Sequence, residues 1–120
     1  DTTNAEKIIV DGLKQQYDER LLLLAPRLNS EHPELIEKTL LALLKRNGAT
    51  PLLNSTLGLI ALRSAQWEKA ETYLKAALAQ RFDAHDAAWL ADALDKLHKP
   101  DEAAKIRQEA LIHSLKQERP

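Results

Sequence analysis

One pattern in the second half of the chain returns after 33 residues, and no other feature limits the fold as strongly. Leu57-Gly58, Trp67, Ala70 and Ala77-Leu78 are followed, each at the same offset, by Leu90-Ala91, Pro100, Ala103 and Ala110-Leu111. In each copy a small residue follows a leucine, an alanine comes twelve positions after that small residue, and Ala-Leu begins seven further on. A single alanine says little in an alanine-rich chain; the joint recurrence at one offset is the signal. A fixed period of about 20–50 residues marks units that stack because none can bury its apolar face alone.

Those units read as helical. The chain is 44% hydrophobic but only 4% aromatic, has three glycines, and is rich in Ala, Leu, Glu, Lys and Gln, the residues that lose least on entering a helix. A period near 34 with helix-turn-helix content is the tetratricopeptide spacing. The sequence therefore predicts an all-α, tetratricopeptide-like stack of antiparallel helical hairpins, an α-solenoid of about seven helices. The first helix is expected over 4–16, with Asn4 as N-cap, Ile8, Ile9 and Leu13 on one face and Gly12 as a weak point. A second starts at Asp18, carries Leu21 to Leu24, and bends or stops near Pro26. Ser30 is expected to cap a third helix whose first turn holds Pro33 and Glu34. Leu35, Ile36, Leu40, Leu43 and Leu44 form its apolar face, and Asn47-Gly48 is its stop. Thr50-Pro51 opens a fourth, joined through Ala65-Gln66 to a fifth over 67–80; after a joint at 81–83 come helices over 84–97 and 100–116, and a tail over 117–120 that frays. The whole chain reads as one helical-repeat domain: irregular or degenerate hairpins over 1–49, a repeat over 50–83, and a second repeat over 84–116 that also caps the stack.

The repeated residues have a packing role. Two helices approach to about 8–9 Å only where the residues at the crossing are small. Leu57, Gly58, Leu90 and Ala91 lie midway in the first helix of each hairpin and Ala70 and Ala103 early in the second, so each small pair is expected to meet at the closest crossing. Ala77 and Ala110, each followed by leucine, are expected to pack on the next unit.

Several function classes are disfavoured. Lys+Arg number 17 against 18 Asp+Glu, so no charge excess recruits nucleic acid or an anionic membrane. Without cysteine there is no disulfide and no thiolate metal site, and no apolar run approaches the roughly 18 residues of a membrane span. With no methionine the chain reads as a segment of a longer protein. Phosphate loops, nucleophile elbows and two-histidine helix motifs are absent, and His32, His85, His98 and His113 never fall at i, i+4 spacing. No catalytic residue, metal or cofactor is therefore expected, and the chain reads as no enzyme. Asp86, Asp92 and Asp95 form an acidic strip on one helix, expected to be solvated or to face a partner.

A partner surface is what remains. In such stacks the first helix of each hairpin lines a concave face, free to meet ligands at 3–4 spacing. Leu52, Ser55, Leu59, Leu62 and Arg63 are the candidates on one such helix, and His85, Ala88, Asp92, Asp95 and Lys96 on the other. The first set is apolar with a basic end and the second acidic, which suits an amphipathic or extended segment carrying a few basic residues. Leu52, Leu59 and Leu62 have an equal alternative as cover for a neighbouring repeat. An exposed apolar end also makes self-association or helix exchange between chains an expected hazard.

The run from Asp83 to Ala104, with Trp89-Leu90-Ala91-Asp92-Ala93-Leu94 and Pro100-Asp101-Glu102-Ala103-Ala104 as its most specific parts, resembles the C-terminal end of the HemY family. Tyr17-Asp18-Glu19-Arg20-Leu21 and Pro51-Leu52-Leu53 before Thr56-Leu57-Gly58 are similar to it as well. The resemblance implies a bacterial inner-membrane protein anchored upstream, with this segment in the cytoplasm and making no membrane contact itself. It implies a scaffold binding protein partners, late haem-biosynthesis enzymes among them, without a settled chemical activity. It also prompts a second reading as a tetrapyrrole carrier, with His85 as a haem ligand one turn before Trp89. The competing reading of His85 is a surface residue near a helix start. A third reading is an envelope or secretion adaptor unrelated to haem.

Overall fold

The computed structural model describes residues 2–25 and 33–118 of the chain. Seven helices follow one another among the described residues, with no strand: α1 (Thr2–Gln15), α2 (Glu19–Leu24), α3 (Pro33–Asn47), α4 (Pro51–Arg63), α5 (Trp67–Gln80), α6 (Ala84–Lys96) and α7 (Pro100–Glu118). The all-α hairpin stack expected from the 33-residue period is the observed architecture. α4 packs most extensively on α5, then α6 on α7, and α5 on α6, so each hairpin lies against the next.

The repeat extends beyond apolar positions into the backbone. Thr50 and Asp83, 33 residues apart, are both extended N-caps whose side-chain oxygens accept from the amide three residues on, Leu53 N and Asp86 N. α4 and α6 also end alike. Ala65 N donates to Leu62 O and Gln66 N to Ala61 O; 33 residues later His98 N donates to Asp95 O and Lys99 N to Leu94 O. This is the Schellman arrangement, in which a left-handed residue lets two amides satisfy the last carbonyls of the helix. Ala65 and His98 occupy that position with φ of 57° and 61°. A Cβ there costs about 1 kcal/mol. Ala65→Gly and His98→Gly are therefore each expected to stabilise the fold by a few tenths to 1 kcal/mol, read as a rise of a few degrees in Tm by thermal circular dichroism. No rise in either variant would show that the left-handed residue is held without strain. Gly48, at φ 85°, already uses glycine for the same purpose after α3.

The core has two parts. Ile9, Val10, Leu13, Leu22, Ile36, Leu40, Leu43, Leu53 and Leu57 bury together between α1, α2, α3 and α4. Ala61, Ala70, Leu74, Leu90, Ala91, Leu94 and Ala103 form the second part, between α4 and α7. α4 contributes to both, which is why Leu53 through Gly58, Ile60 and Ala61 are all buried and the helix has no solvent-facing polar stripe. Its buried polar groups are satisfied locally: Asn54 Nδ2 donates to Gln80 Oε1 at 3.2 Å, and Thr56 Oγ1 donates to Leu52 O at 2.8 Å. Arg46 on α3 reaches across to donate to Lys14 O and Leu13 O, so a cation from another helix closes the C-terminus of α1.

Several expectations are corrected. α1 begins at Thr2, so Asn4 lies inside it and is no cap. Ile8 is 66% exposed; Val10, with Ile9 and Leu13, forms the buried face of α1. Leu35 is exposed, while Ile36, Leu40 and Leu43 are buried as expected. Gly58 meets Leu74 rather than Ala70: a Cβ placed on it would lie 2.6 Å from Leu74 Cγ. The close crossing of α4 on α5 thus falls one turn beyond the expected alanine. Ala77 is buried and Leu78 half-buried, but Leu111 is 59% exposed, because α7 is the last helix and no further unit covers it among the described residues. α2 stops at Leu24, and α7 continues past Lys116 to Glu118. The expected bend at Pro26, the cap at Ser30 and the position of His32 lie outside the described residues.

Candidate functional site

α4 and α6 are the first helices of successive hairpins, and their side chains at 3–4 spacing share one concave surface. A groove of about 440 Å³ is lined by Leu22, Leu23, Leu52, Ser55, Thr56, Leu59, Arg63, His85 and Trp89. A second depression of about 380 Å³, lined by Leu62, Arg63, Trp67, Asp92, Asp95 and Lys96, meets the first at Arg63. Nine of the ten candidates read from the sequence line one or the other; Ala88 is exposed and lines neither. The span from Leu52 to Arg63 on α4 is about 16 Å at 1.5 Å per residue, enough for three turns of a bound helix.

Within that surface the candidates differ in what they do. Leu52 packs on the first core and Leu62 on the second, so both serve the fold as well as the groove. Leu59 belongs to neither core and is half-buried, an apolar side chain held in the groove wall. Ser55 is buried and forms part of the floor. Its Oγ donates to Asp86 Oδ2 at 2.6 Å, while Arg81 donates through Nη1 to the same carboxylate oxygen and through Nη2 to Ser55 Oγ at 3.1 Å. Asp86 is 1% exposed, so it leaves the acidic strip proposed for it and works instead as a buried clasp. The clasp joins Ser55 on α4, Arg81 in the joint and Asp86 on α6, and so fixes the spacing of the two groove walls.

Asp92 and Asp95 are exposed, but α7 has a claim on them. Arg107 Nη2 lies 2.6 Å from Asp95 Oδ2 and 3.4 Å from Asp92 Oδ1. The hydrogen bond Arg107 donates to Asp95, with the charges of Asp95 and Asp92, raises the pKa of Arg107 above its ordinary value against an opposing desolvation. Lys96 Nζ lies 5.7 Å from the ring centroid of Trp67, a cation over an aromatic face. Arg63 is exposed and makes no ion pair among the described residues. The α6 side of this surface, read as acidic, has its two exposed carboxylates matched by Arg107 from α7, while Arg63 and Lys96 make no ion pair among the described residues.

His85 is exposed on the groove rim, and its ring centroid lies 5.9 Å from that of Trp89 at an interplanar angle of 34°. No cluster of His, Asp and Glu able to hold a metal ion occurs among the described residues. His113 stacks on Phe82 at 3.9 Å, and neither residue lines the groove. No helix among the described residues is long and apolar enough to cross a membrane.

Five lining residues were not among the candidates: Leu22 and Leu23 from α2, Thr56, and the two tryptophans Trp89 and Trp67. Trp89 was within reach of the sequence, since it stands one turn after His85 on the same face. Leu22 and Leu23 were not, because α2 reaches the groove only by docking against α4.

The family resemblance holds along the whole chain. It is 51% identical over all 120 residues to Protein HemY of Escherichia coli strain K12, and equally to Protein HemY of Escherichia coli O157:H7 and of Shigella flexneri. The chain spans about 30% of the length of these curated relatives. No protein-family model matches it, and no solved structure does.

Proposed function

We propose that this chain, the counterpart of a segment of HemY, is a protein-interaction scaffold of tetratricopeptide type whose groove between α4 and α6 receives a segment of a partner. The observation that carries the reading is Leu59: it is apolar, part of no core, and set in an open groove between Trp89 and Arg63 whose walls a buried clasp holds at fixed spacing. A preformed apolar surface of this kind lowers the ordering cost of binding. Ser55 Oγ donates to Asp86 and accepts from Arg81 within the clasp, which favours a binding role for the groove over nucleophilic chemistry. The similarity to HemY supports a setting in a membrane-tethered protein of haem biosynthesis, with late enzymes of that pathway as partners.

Affinity capture from an Escherichia coli membrane lysate tests this, with the wild-type chain and Leu59→Glu as parallel baits. Leu59→Glu leaves both cores intact, so its fold is checked by circular dichroism and is expected to match wild type. Enrichment of haem-synthesis enzymes that Leu59→Glu loses is the expected result. Enrichment that survives the substitution would move the binding site elsewhere, and recovery of unrelated envelope proteins would place the scaffold outside haem synthesis.

A further inference from the structure

The charge balance of the groove says what kind of segment it takes. We infer that the occupant is an amphipathic helix of a partner protein whose apolar stripe sits on Leu59 and Trp89 and whose acidic flank meets Arg63. The inference rests on the scaffold reading and goes further by fixing the partner's charge.

The first depression is lined by no acidic side chain other than the covered clasp beneath Ser55 and holds Arg63 and His85 at its rim. The second contains Asp92 and Asp95, but Arg107 donates to both, so a ligand's lysine or arginine would have to displace a cation already in place. Around the whole surface Arg63, Lys96 and Arg107 stand against the two carboxylates Asp92 and Asp95. Arg107 is held by the aspartates, while Arg63 makes no ion pair among the described residues and Lys96 lies only over the Trp67 ring, so the charge left for a ligand to pair with is positive and Arg63 stands nearest the apolar walls. Arg63 is also the residue shared by both depressions. An elongated ligand crossing both must pass over it, whereas a compact one would use only half the surface. A guanidinium there presents several donors in a fixed plane suited to a carboxylate. Beside apolar walls the pair is less screened than one on an open surface.

Two fluorescein-labelled 14-residue helical peptides with the same leucine stripe, one flanked by glutamates and the other by lysines, test the inference by fluorescence anisotropy against the full chain. The glutamate peptide is expected to bind at least about 10-fold more tightly at low salt, since one sign is attracted and the other repelled, and the difference is expected to shrink as salt rises. Arg63→Glu is expected to invert the preference; the side chain is exposed, and circular dichroism of the variant confirms its fold. Equal affinity for the two peptides, tighter binding of the lysine peptide, or a preference unchanged in Arg63→Glu overturns the acidic assignment while leaving the groove as a docking site. Binding of neither peptide overturns both. Concentration-dependent self-association in sedimentation equilibrium that Leu59→Glu abolishes would give the groove to a second copy of the chain and likewise overturn the inference.

Discussion

Leu74→Ala is expected to lower the free energy of unfolding by about 3 kcal/mol, read as a shift of the urea midpoint at unchanged m-value. Leu74 is fully buried in the second core, and the α4–α5 crossing closes on it through Gly58. A Cβ on Gly58 would lie 2.6 Å from Leu74 Cγ and 2.7 Å from Cδ2, too close for either atom to stay where it is. Because Leu74 is packed on every side, it has no free rotamer to retreat into. Gly58→Ala therefore adds an overpacking cost of about 1–3 kcal/mol, offset by about 0.5–1 kcal/mol of helix propensity, and is expected to destabilise the wild type by about 1 kcal/mol. In the Leu74→Ala background the obstruction is gone while the propensity remains, so the same substitution is expected to stabilise by about 0.5–1 kcal/mol. That change of sign is the decisive reading of the double-mutant cycle. An equal effect of Gly58→Ala in both backgrounds would mean that this contact does not set the separation of the two helices.

Arg81→Met is the second substitution with a large expected effect, a loss of about 3 kcal/mol. It leaves the Asp86 carboxylate, 1% exposed, with the Ser55 hydroxyl as its remaining side-chain donor. Asp86→Asn should cost less, about 1–2 kcal/mol, because the Arg81 side chain is 35% exposed and can turn its charge to water. The asymmetry follows from which partner the fold has desolvated. Joining the two, Arg81→Met with Asp86→Leu, is expected to recover most of the loss, because neither charge is then left buried alone. Equal losses from the two single substitutions would show that Asp86 is better hydrated than its burial indicates. The clasp spans the two groove walls, so Arg81→Met is also expected to weaken glutamate-peptide binding even though Arg81 does not line the groove.

The legible part of this molecule was its repetition. A 33-residue offset among a few small residues predicted two hairpins, and the structure returns the same offset in caps and left-handed residues that carry no apolar signal, Thr50 with Asp83 and Ala65 with His98. Thr50-Pro51 and Asn47-Gly48 were readable because helix ends are made by local chemistry that the sequence displays directly. The groove positions on α4 and α6 were readable for a similar reason: helical periodicity tells which side chains share a face once the packed face is known. At Ile8 and Leu35 periodicity pointed to burial and both are exposed, since an apolar residue at the margin of a face is covered only if a neighbouring helix reaches it.

The charge of the site belonged to the other category. Asp86, Asp92 and Asp95 look alike on one helix, at spacings of six and three. One is buried beneath Ser55 and Arg81, and the other two are held by Arg107 from a helix twelve or more residues away in sequence. Sequence alone determined the seven helices, the two hairpins, the ends made by Asn47-Gly48 and Thr50-Pro51, and the face that lines the groove, because each follows from spacing along one chain direction. Tertiary structure alone decided that α2 supplies a wall, that Leu74 rather than Ala70 meets Gly58, and which carboxylates remain to meet a ligand. Those outcomes depend on distances between helices, and a Coulombic or steric contact is set by separation in space, on which residue spacing within a single helix has no hold.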